Sequence, residues 1–322
     1  MSTLSLYPES PSERDNWILT RRPQRKTLDP TRPYTFLVED ERTASGEIVP
    51  VATLFLTNRE CPWRCLMCDL WKNTLTETLP AGAIPAQIDY ALRQLPPARH
   101  IKLYNSGSFF DPRAIRLEDH PTIADRIASF ERVIVECHPS LIGQSCFQFK
   151  NRLTGGLEVA MGLETVHPQI LARLNKRMTT TDFARAAVLL RDNGIDLRVF
   201  ILVKPPFMRE EESLAWAARS LDFAFDCGAT AAALIPTRSG NGAMETLEST
   251  GDFSPPKLET LEAAAAYGVG LHRGRVFTDL WDLRSTSNCP HCFKARVNRL
   301  RTMNLQQTVL APIQCAHCET AP

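Results

Sequence analysis

The sequence predicts an α/β fold in which six strand-helix units form a parallel sheet. Strand-sized apolar runs alternate with stretches of helical periodicity between residues 49 and 235. A short apolar run followed by a helix is a βα unit, and right-handed crossovers join such units into a parallel sheet. Gly194 and Gly228 follow two of the helical stretches, where glycine suits a helix C-terminus. The predicted strands are 49–56, 100–104, 132–136, 157–163, 197–203 and 230–235, and the predicted helices are 84–95, 122–130, 141–153, 183–193 and 211–227.

Length and composition favour a soluble protein that folds without disulfides. The chain has 322 residues, enough for one large domain or two ordinary ones, and a formal net charge of +1. No apolar run approaches the roughly 20 residues of a membrane span. Seven of the ten cysteines have metal-ligand spacing, and no basic-then-apolar leader is seen. We therefore expect a cytoplasmic protein whose contacts with nucleic acid, if any, come from local basic patches.

The N-terminal region predicts an arm followed by a hairpin. Residues 1–33 are rich in serine, proline and charge and include a basic run at 21–26, so we expect little regular structure and a solvated tail. Residues 34–39 then predict a strand, 43–46 a turn and 49–56 a second strand. That second strand leads the chain directly into a group of cysteines.

Three cysteines within eight residues are the most specific feature of the chain. Cys61, Cys65 and Cys68 follow the spacing C-x3-C-x2-C. Three thiolates on one loop can hold three corners of a 4Fe-4S cluster and leave the fourth iron without a protein ligand. The alternative is a zinc knuckle, but a structural zinc site needs four ligands, and no histidine or fourth cysteine lies nearby in sequence.

This spacing resembles the cluster loop of the radical S-adenosylmethionine superfamily. The resemblance implies a partial (β/α)6 TIM-like barrel, in which the amino and carboxylate groups of S-adenosylmethionine occupy the open iron. It also implies that an electron from the cluster cleaves the cofactor to a 5'-deoxyadenosyl radical. Met67 stands where the family often has an aromatic residue beside the adenine. A closed eight-unit barrel would need two more units than the sequence shows.

In such barrels the chemistry lies at the C-terminal ends of the strands, so those ends predict the site. The resemblance implies that Asn105, Ser106 and Gly107, after the second of the six strands, bind the amino group of the cofactor. Glu136 and Glu164 close the next two strands and could accept hydrogen bonds from ribose hydroxyls or the ammonium group. A salt bridge at the rim of the barrel is the alternative for each carboxylate.

Two lysines and one glycine-rich segment complete the predicted site. Lys176 lies in a connecting segment where a cation could meet the cofactor carboxylate, and Lys204 ends the fifth strand ahead of two prolines. We expect Lys204 and Glu164 to be catalytic, because a buried lysine near a cluster is more often functional than a surface lysine. The segment 240–242 after the sixth strand could flank adenine and substrate.

A smaller subgroup of the superfamily resembles the chain more closely. Residues 104–112, 161–164 and 203–207 look like the radical subunit of archaeosine synthase and, more loosely, the radical domain of the elongator catalytic subunit. The resemblance runs from about residue 51 to the C-terminus and implies a reaction on a tRNA base. In archaeosine synthesis, the radical cleaves a carbon-nitrogen bond in a lysine adduct of a 7-deazaguanine base.

A second group of cysteines predicts a C-terminal metal module. Cys289, Cys292, Cys315 and Cys318 form two C-x2-C pairs with a spacing close to that of a zinc ribbon. We expect zinc, with a second 4Fe-4S cluster as the alternative. Basic residues crowd the segment between the pairs and could contact tRNA phosphates, unless they are simply solvated. They are Lys294, Arg296, Arg299 and Arg301.

Together these features predict a radical S-adenosylmethionine enzyme with three regions. Residues 1–48 are the arm and hairpin, 49–284 the core barrel, and 285–322 the metal module. We expect a tRNA substrate, an electron donor protein, a partner subunit and no membrane contact. One alternative is a radical enzyme that acts on a peptide or small metabolite and carries an auxiliary cluster. The other is a non-enzymatic zinc protein that binds RNA or a partner.

Overall fold

The chain is built around one curled sheet of eight strands. The computed structural model describes residues 6–287 and 289–319. The strands are β1 (Thr35–Arg42), β2 (Ile48–Phe55), β3 (His100–Tyr104), β4 (Arg132–Glu136), β5 (Gly156–Glu164), β6 (Asp196–Val203), β7 (Ala231–Pro236) and β8 (Arg275–Thr278). They lie in the sheet in chain order, from β1 at one edge to β8 at the other. β1 and β2 form an antiparallel hairpin, and all later pairings are parallel.

The predicted partial barrel is confirmed. β2 to β7 are the six strands expected from the sequence, and the predicted hairpin is present as β1 and β2. β8 is a seventh parallel strand that the sequence analysis missed. Its four residues, Arg-Val-Phe-Thr, form too short and too polar a run to be recognised as a buried strand.

Helices cover the outer face of the sheet, where the apolar side chains of the strands form the main core. No helix among the described residues is both long and apolar enough to cross a bilayer. The helices are α1 (Pro11–Leu19), α2 (Ala83–Leu92), α3 (His120–Arg126), α4 (Gln144–Lys150), α5 (Pro168–Arg173), α6 (Thr180–Asp192), α7 (Glu210–Asp226), α8 (Ala243–Ser249), α9 (Leu258–Gly270), α10 (Pro290–Gln306) and α11 (Ala316–Glu319).

The expectation of an arm with little regular structure is wrong for its central part. α1 lies within this segment, and Trp17 and Ile18 on it are buried. They pack in a second apolar cluster with Leu66 and Met244, which come from distant parts of the chain. α1 has no clear apolar period, so its stability comes from these tertiary contacts, which local periodicity does not reveal.

An ion-pair layer fills the N-terminal end of the barrel lumen. Arg198 on β6 donates to Glu158 on β5 at 2.5 Å and to Glu41 on β1 at 2.5 and 3.0 Å. Glu158 also accepts from Arg275 on β8 at 2.9 Å, and Lys102 on β3 lies 2.7 Å from Glu41. All five side chains are buried, so their charges are balanced by one another rather than by water.

The gap between β8 and β1 is closed by side chains and by α10. Nη1 of Arg275 on β8 lies 3.9 Å from Oε1 of Glu41 on β1. The side chain of Gln307, just after α10, accepts from the backbone amide of Val276 at 2.7 Å and donates to its carbonyl at 2.9 Å. α10 therefore occupies the free edge of β8, which protects that edge from pairing with another chain.

We expect Glu158→Gln to lower the free energy of unfolding by about 3 kcal/mol, because it leaves buried arginines with an uncompensated charge. Urea denaturation measures the change. Glu118→Gln is the matched control, since its side chain is 61% exposed and lies 3.5 Å from Arg116; we expect less than about 0.5 kcal/mol there. Equal effects of the two substitutions would contradict a structural role for the ion-pair layer.

Candidate active site

The cysteine loop (residues 57–69) lies at the mouth of the barrel, which is formed by the segments that follow β2 to β8. Its three thiols are partly buried and free of disulfides. The segment after β3 lies directly against them, since a Cβ added at Gly107 would be 3.3 Å from the Cβ of Cys61. The structure therefore brings two of the predicted site segments into contact.

Backbone hydrogen bonds and two asparagine side chains, Asn175 and Asn241, hold the cysteine loop in place. The side chain of Leu66 is fully buried, and its amide donates to the carbonyl of Leu174 at 2.9 Å. The side-chain Nδ2 of Asn241 donates to the backbone carbonyls of Leu66 at 2.7 Å and Cys68 at 3.1 Å. Segment 240–242 was expected to flank adenine and substrate, whereas Asn241 positions the cysteine loop. No sequence signal indicated this role.

A carboxylate surrounded by arginines fixes the start of the loop. Glu60 pairs with Arg22 at 2.7 Å, Arg25 at 2.5 Å and Arg64 at 3.1 Å. Burial alone would raise the pKa of Glu60, but the hydrogen bonds from Arg22 and Arg25 hold it below its usual value. Arg25 also donates to the carbonyl of Trp71 at 2.7 Å. The interpretation of the basic run as a solvated tail is therefore wrong, because its arginines hold the cysteine loop.

Glu136 supports the turn after β3. Its Oε1 accepts from the backbone amides of Asn105 and Ser106, each at 2.7 Å. Burial raises the pKa of this carboxyl to about 7, although the backbone hydrogen bonds oppose the shift. Ser106 has a φ of +53°, and its hydroxyl lies 3.1 Å from that of Tyr34. The predicted cofactor contact of Glu136 stays a prediction; the contact seen is with the turn itself.

Asn105 is a buried amide without a partner. The residue has no exposed surface, and neither Nδ2 nor Oδ1 finds a hydrogen bond among the described residues. Leaving such a group unpaired costs about 1–3 kcal/mol, so its place in a fold is best explained by a polar ligand. This unpaired amide lies on the turn whose Gly107 contacts Cys61, and its donor and acceptor fit the carboxylate and amino groups of S-adenosylmethionine.

Lys176 and Glu164 form a buried ion pair beside the thiols. Burial would lower the pKa of Lys176, but Glu164 and the thiols of Cys65 and Cys61 raise it. Gly162 makes room for the pair, because an added Cβ would collide with both side chains. The rim salt bridge considered for Glu164 is therefore present, and it places both predicted residues next to the cysteine loop.

Lys204 is buried, and its polar contacts with the described residues lie outside the cysteine loop. Its ammonium donates to Ser254 at 2.6 Å and to the carbonyl of Pro255 at 3.3 Å, and lies 3.1 Å from Glu210. Its catalytic role stays a prediction. Met67 is half-buried and packs against two apolar clusters beside the loop, and its contact with adenine also stays a prediction.

His138 is a site residue whose role the sequence analysis did not assign. Its ring stacks on that of Trp63, within the cysteine loop, with centroids 3.9 Å apart and planes 12° from parallel. Its Nε2 donates to the carbonyl of Lys176 at 3.0 Å, while Nδ1 accepts from the amide of Ser140. Burial lowers the pKa of His138 to about 4, so the ring is neutral near pH 7. His138 thus joins the cysteine loop to the segment that carries Lys176.

The cysteine quartet (Cys289, Cys292, Cys315 and Cys318) forms a compact group of ligands. The four Sγ atoms lie within 4.8 Å of one another, and the pairs 289–315 and 292–318 are 3.9 and 3.5 Å apart. Thiolates around one tetrahedral zinc are about 3.8 Å apart, given a Zn–S distance near 2.3 Å. Four thiolates on the separate irons of a cubane must lie further apart.

Two of the four basic residues proposed to contact RNA are committed elsewhere. Arg296 pairs with Glu259 and Glu262, and Arg299 pairs with Glu262 at 3.2 Å and donates to the carbonyl of Leu310. Both guanidiniums are buried, so this part of the prediction is wrong. Their spacing on α10 turns them inward towards α9, whereas Lys294 and Arg301 are exposed.

We expect Gly162→Ala to lower the free energy of unfolding by about 2 kcal/mol, because its methyl group must push Glu164 and Lys176 apart. Gly143→Ala is the control, since nothing lies within 4 Å of a Cβ added there; we expect a change below about 0.5 kcal/mol. Urea denaturation of both variants measures the difference. A neutral Gly162→Ala would show that the ion pair can relax without cost.

The chain is similar to several known proteins. No family model matches the chain. Archaeosine synthase subunit beta of Methanosarcina acetivorans is 27% identical over 85% of this chain and 84% of its own length. An uncharacterized protein of Methanocaldococcus jannaschii is 22% identical over 89% of this chain and 83% of its own.

A solved structure shares the fold. Elp3 of Methanocaldococcus infernus matches with a TM-score of 0.50 and 16% identity, over 71% of this chain and 56% of that one. The named relatives are synthase subunits, so the prediction of an enzyme is confirmed. The chain therefore has the fold of the radical S-adenosylmethionine superfamily, as its cysteine loop predicted, and is related to proteins named archaeosine synthase subunit beta, as residues 104–112, 161–164 and 203–207 predicted.

Proposed function

We propose that the chain is a radical S-adenosylmethionine enzyme that modifies a base of tRNA. The observation that carries the proposal is the position of Cys61, Cys65 and Cys68 on a braced loop that contacts, through Gly107, the turn with the unpaired amide of Asn105. A 4Fe-4S cluster on these three thiolates would keep one iron open for the cofactor. The nearby Lys176–Glu164 pair supplies one charge of each sign for a zwitterionic ligand.

The residues at the mouth would bind and orient the cofactor. When bound, the cluster supplies the electron that cleaves S-adenosylmethionine. Asn105 would hydrogen-bond the methionine end, and the ammonium of Lys176 would pair with its carboxylate. Lys176 would then be shared between Glu164 and the cofactor carboxylate. Glu164 would accept hydrogen bonds from the cofactor's amino group or its ribose hydroxyls. Met67 would pack against the adenine.

We propose zinc for the cysteine quartet. The support is the sulfur spacing, which suits one tetrahedral ion. The ion would tie the start of α10 to residues 315–318. Since α10 covers the gap beside β8, the metal would stabilise the barrel without taking part in chemistry.

The tRNA substrate and the partners rest on the named relatives and on exposed charge. The relatives named archaeosine synthase subunit beta include one matched over 85% of this chain, and the word subunit implies a second chain. Lys294 and Arg301 are free to meet phosphates. An electron donor protein and a reducing cytoplasm are parts of the same proposal, because the cluster must be reduced and its thiolates kept unoxidised.

Metal analysis of two cysteine variants separates the two sites. After anaerobic reconstitution with iron and sulfide, we expect about four irons and one zinc per chain. Cys65→Ser should lose most of the iron and keep the zinc, whereas Cys292→Ser should lose zinc and keep the iron. Mass spectrometry of the metals and the absorption of the cluster measure both. About eight irons in the wild type would show that the cysteine quartet holds a second cluster and not zinc. Zinc without iron would refute the proposal of a radical enzyme.

Release of 5'-deoxyadenosine tests the substrate. With reductant and S-adenosylmethionine, we expect several-fold more product when bulk tRNA from cells lacking this protein is added, because bound substrate commits the cofactor to cleavage. Liquid chromatography measures the product, and Cys65→Ser is the blank. Tetrahedrally coordinated zinc does not cleave the cofactor. Release of 5'-deoxyadenosine by Cys292→Ser therefore shows whether the cysteine quartet takes part in cleavage. Release that tRNA leaves unchanged would refute a tRNA substrate.

A further inference from the structure

Trp281 is a large, exposed aromatic side chain at the mouth of the barrel. It is 62% exposed and lies three residues beyond the end of β8. Its ring centroid is 6.4 Å from that of Phe55, the last residue of β2. β8 and β2 are not neighbours in the sheet. The indole therefore spans the open side of the barrel at the end where the cysteine loop lies.

The segment that carries Trp281 is braced. The guanidinium of Arg238 pairs with Asp279 and donates to the carbonyl of Trp281. The amide of Trp281 donates to Oδ1 of Asp279 at 3.0 Å, and the amide of Asp279 donates to the carbonyl of Leu234 on β7 at 2.9 Å. The backbone that carries the ring is thus held in place, which limits the entropy lost when a ligand stacks on the indole.

An aromatic column (Tyr34, Phe55, Tyr104 and Phe200) continues inward from Trp281. Phe55 lies 5.7 Å from Tyr34 and 6.0 Å from Tyr104, and Tyr104 lies 6.3 Å from Phe200. The hydroxyl of Tyr34 lies 3.1 Å from that of Ser106, on the turn proposed to bind the cofactor. A series of neighbouring rings therefore connects the exposed indole to the turn that carries Ser106. The ion-pair layer fills the lumen on the N-terminal side of these rings.

We propose that the exposed indole of Trp281, supported by the Phe55 ring whose plane lies 61° from its own, is the stacking face for one planar heteroaromatic base, turned out of its nucleic-acid strand. The inference rests on the proposed function and names the residues that would hold the substrate. Proteins that act on a base commonly extrude it and stack it on aromatic side chains. The polar groups beside the ring, on Arg238 and Asp279, suit a ligand with apolar faces and a polar edge. Arg238 and Asp279 pair with each other but are still 26% and 18% exposed, so they can also hydrogen-bond the edge of a stacked base. A purely apolar partner would remove water from this pair and offer no hydrogen bond in return.

Binding of free guanosine tests the proposal without requiring turnover. Equilibrium dialysis is done with the full-length reconstituted protein at saturating S-adenosylmethionine, so that the nucleoside cannot occupy the adenosine site. We expect Trp281→Leu to weaken guanosine binding about tenfold, in the range of base-aromatic stacking, and Trp281→Phe to change it less than about threefold. Tyr267→Leu, at an exposed ring on α9, should leave binding unchanged.

Separate measurements distinguish the possible failures. Equal guanosine affinity in wild type and Trp281→Leu, or no guanosine binding at all, would overturn the stacking face. Another outcome, in size-exclusion chromatography, is an elution volume that varies with concentration for the wild type while that of Trp281→Leu stays constant. That result would show that the indole contacts a second copy of the chain, and it would also overturn the stacking face. Affinity for S-adenosylmethionine should be the same in all variants. Failure of the proposed function would appear instead as absent iron or absent 5'-deoxyadenosine, whatever residue occupies position 281.

Discussion

The contacts of Glu60 with Arg22, Arg25 and Arg64 are the interaction on which the mouth of the barrel depends. The cysteine loop has almost no regular structure, so its backbone groups need partners from elsewhere. Those partners come from distant segments: Asn241, for example, is 175 positions from Leu66, whose carbonyl it binds. The three thiols therefore reach their positions only when the arm, the barrel and the segment after β7 are all in place. The positions of the three thiols therefore depend on the stability of the whole barrel.

The lumen is organised in layers that follow the two-residue period of parallel strands. Lys102 on β3 belongs to the ion-pair layer, Tyr104 to the aromatic column and Ser106 to the turn at the mouth. On β6, Arg198 likewise belongs to the ion-pair layer and Phe200 to the aromatic column. Buried charges are satisfied in few arrangements, and Arg275 meets Glu41 where no backbone ladder joins β8 to β1. We infer that the ion-pair layer fixes the curl of the open sheet and so fixes the width of the mouth.

Features encoded by nearby residues could be predicted from the sequence, and features that depend on distant contacts could not. The six strands and the C-x3-C-x2-C loop are local patterns, and strand order together with the family resemblance placed Asn105, Glu164 and Lys176 near the cysteines. α1 was missed because burial of Trp17 against Leu66 stabilises it, and β8 because four residues carry too little periodicity. Arg296 looked like a solvated cation because its partner Glu262 lies on another helix. Asn241 carried no signal, since an asparagine after a strand usually belongs to a turn.

Backbone strain is concentrated at the mouth. Six of the nine non-glycine residues with positive φ among the described residues lie at the end of β5 or in the segments that follow β3, β5 and β6: Ser106, Glu164, Asn175, Arg177, Lys204 and Phe207. Each such residue costs about 1–2 kcal/mol, so other contacts must offset it. Glu136 holds the amide of Ser106, Lys176 holds Glu164, and Ser254 holds Lys204. The ammonium of Lys204 is thus already engaged in fixing a strained strand end. This favours a role for Lys204 in shaping the site over direct proton transfer, and it leaves Asn105 as a buried side chain at the mouth with neither its nitrogen nor its oxygen paired among the described residues.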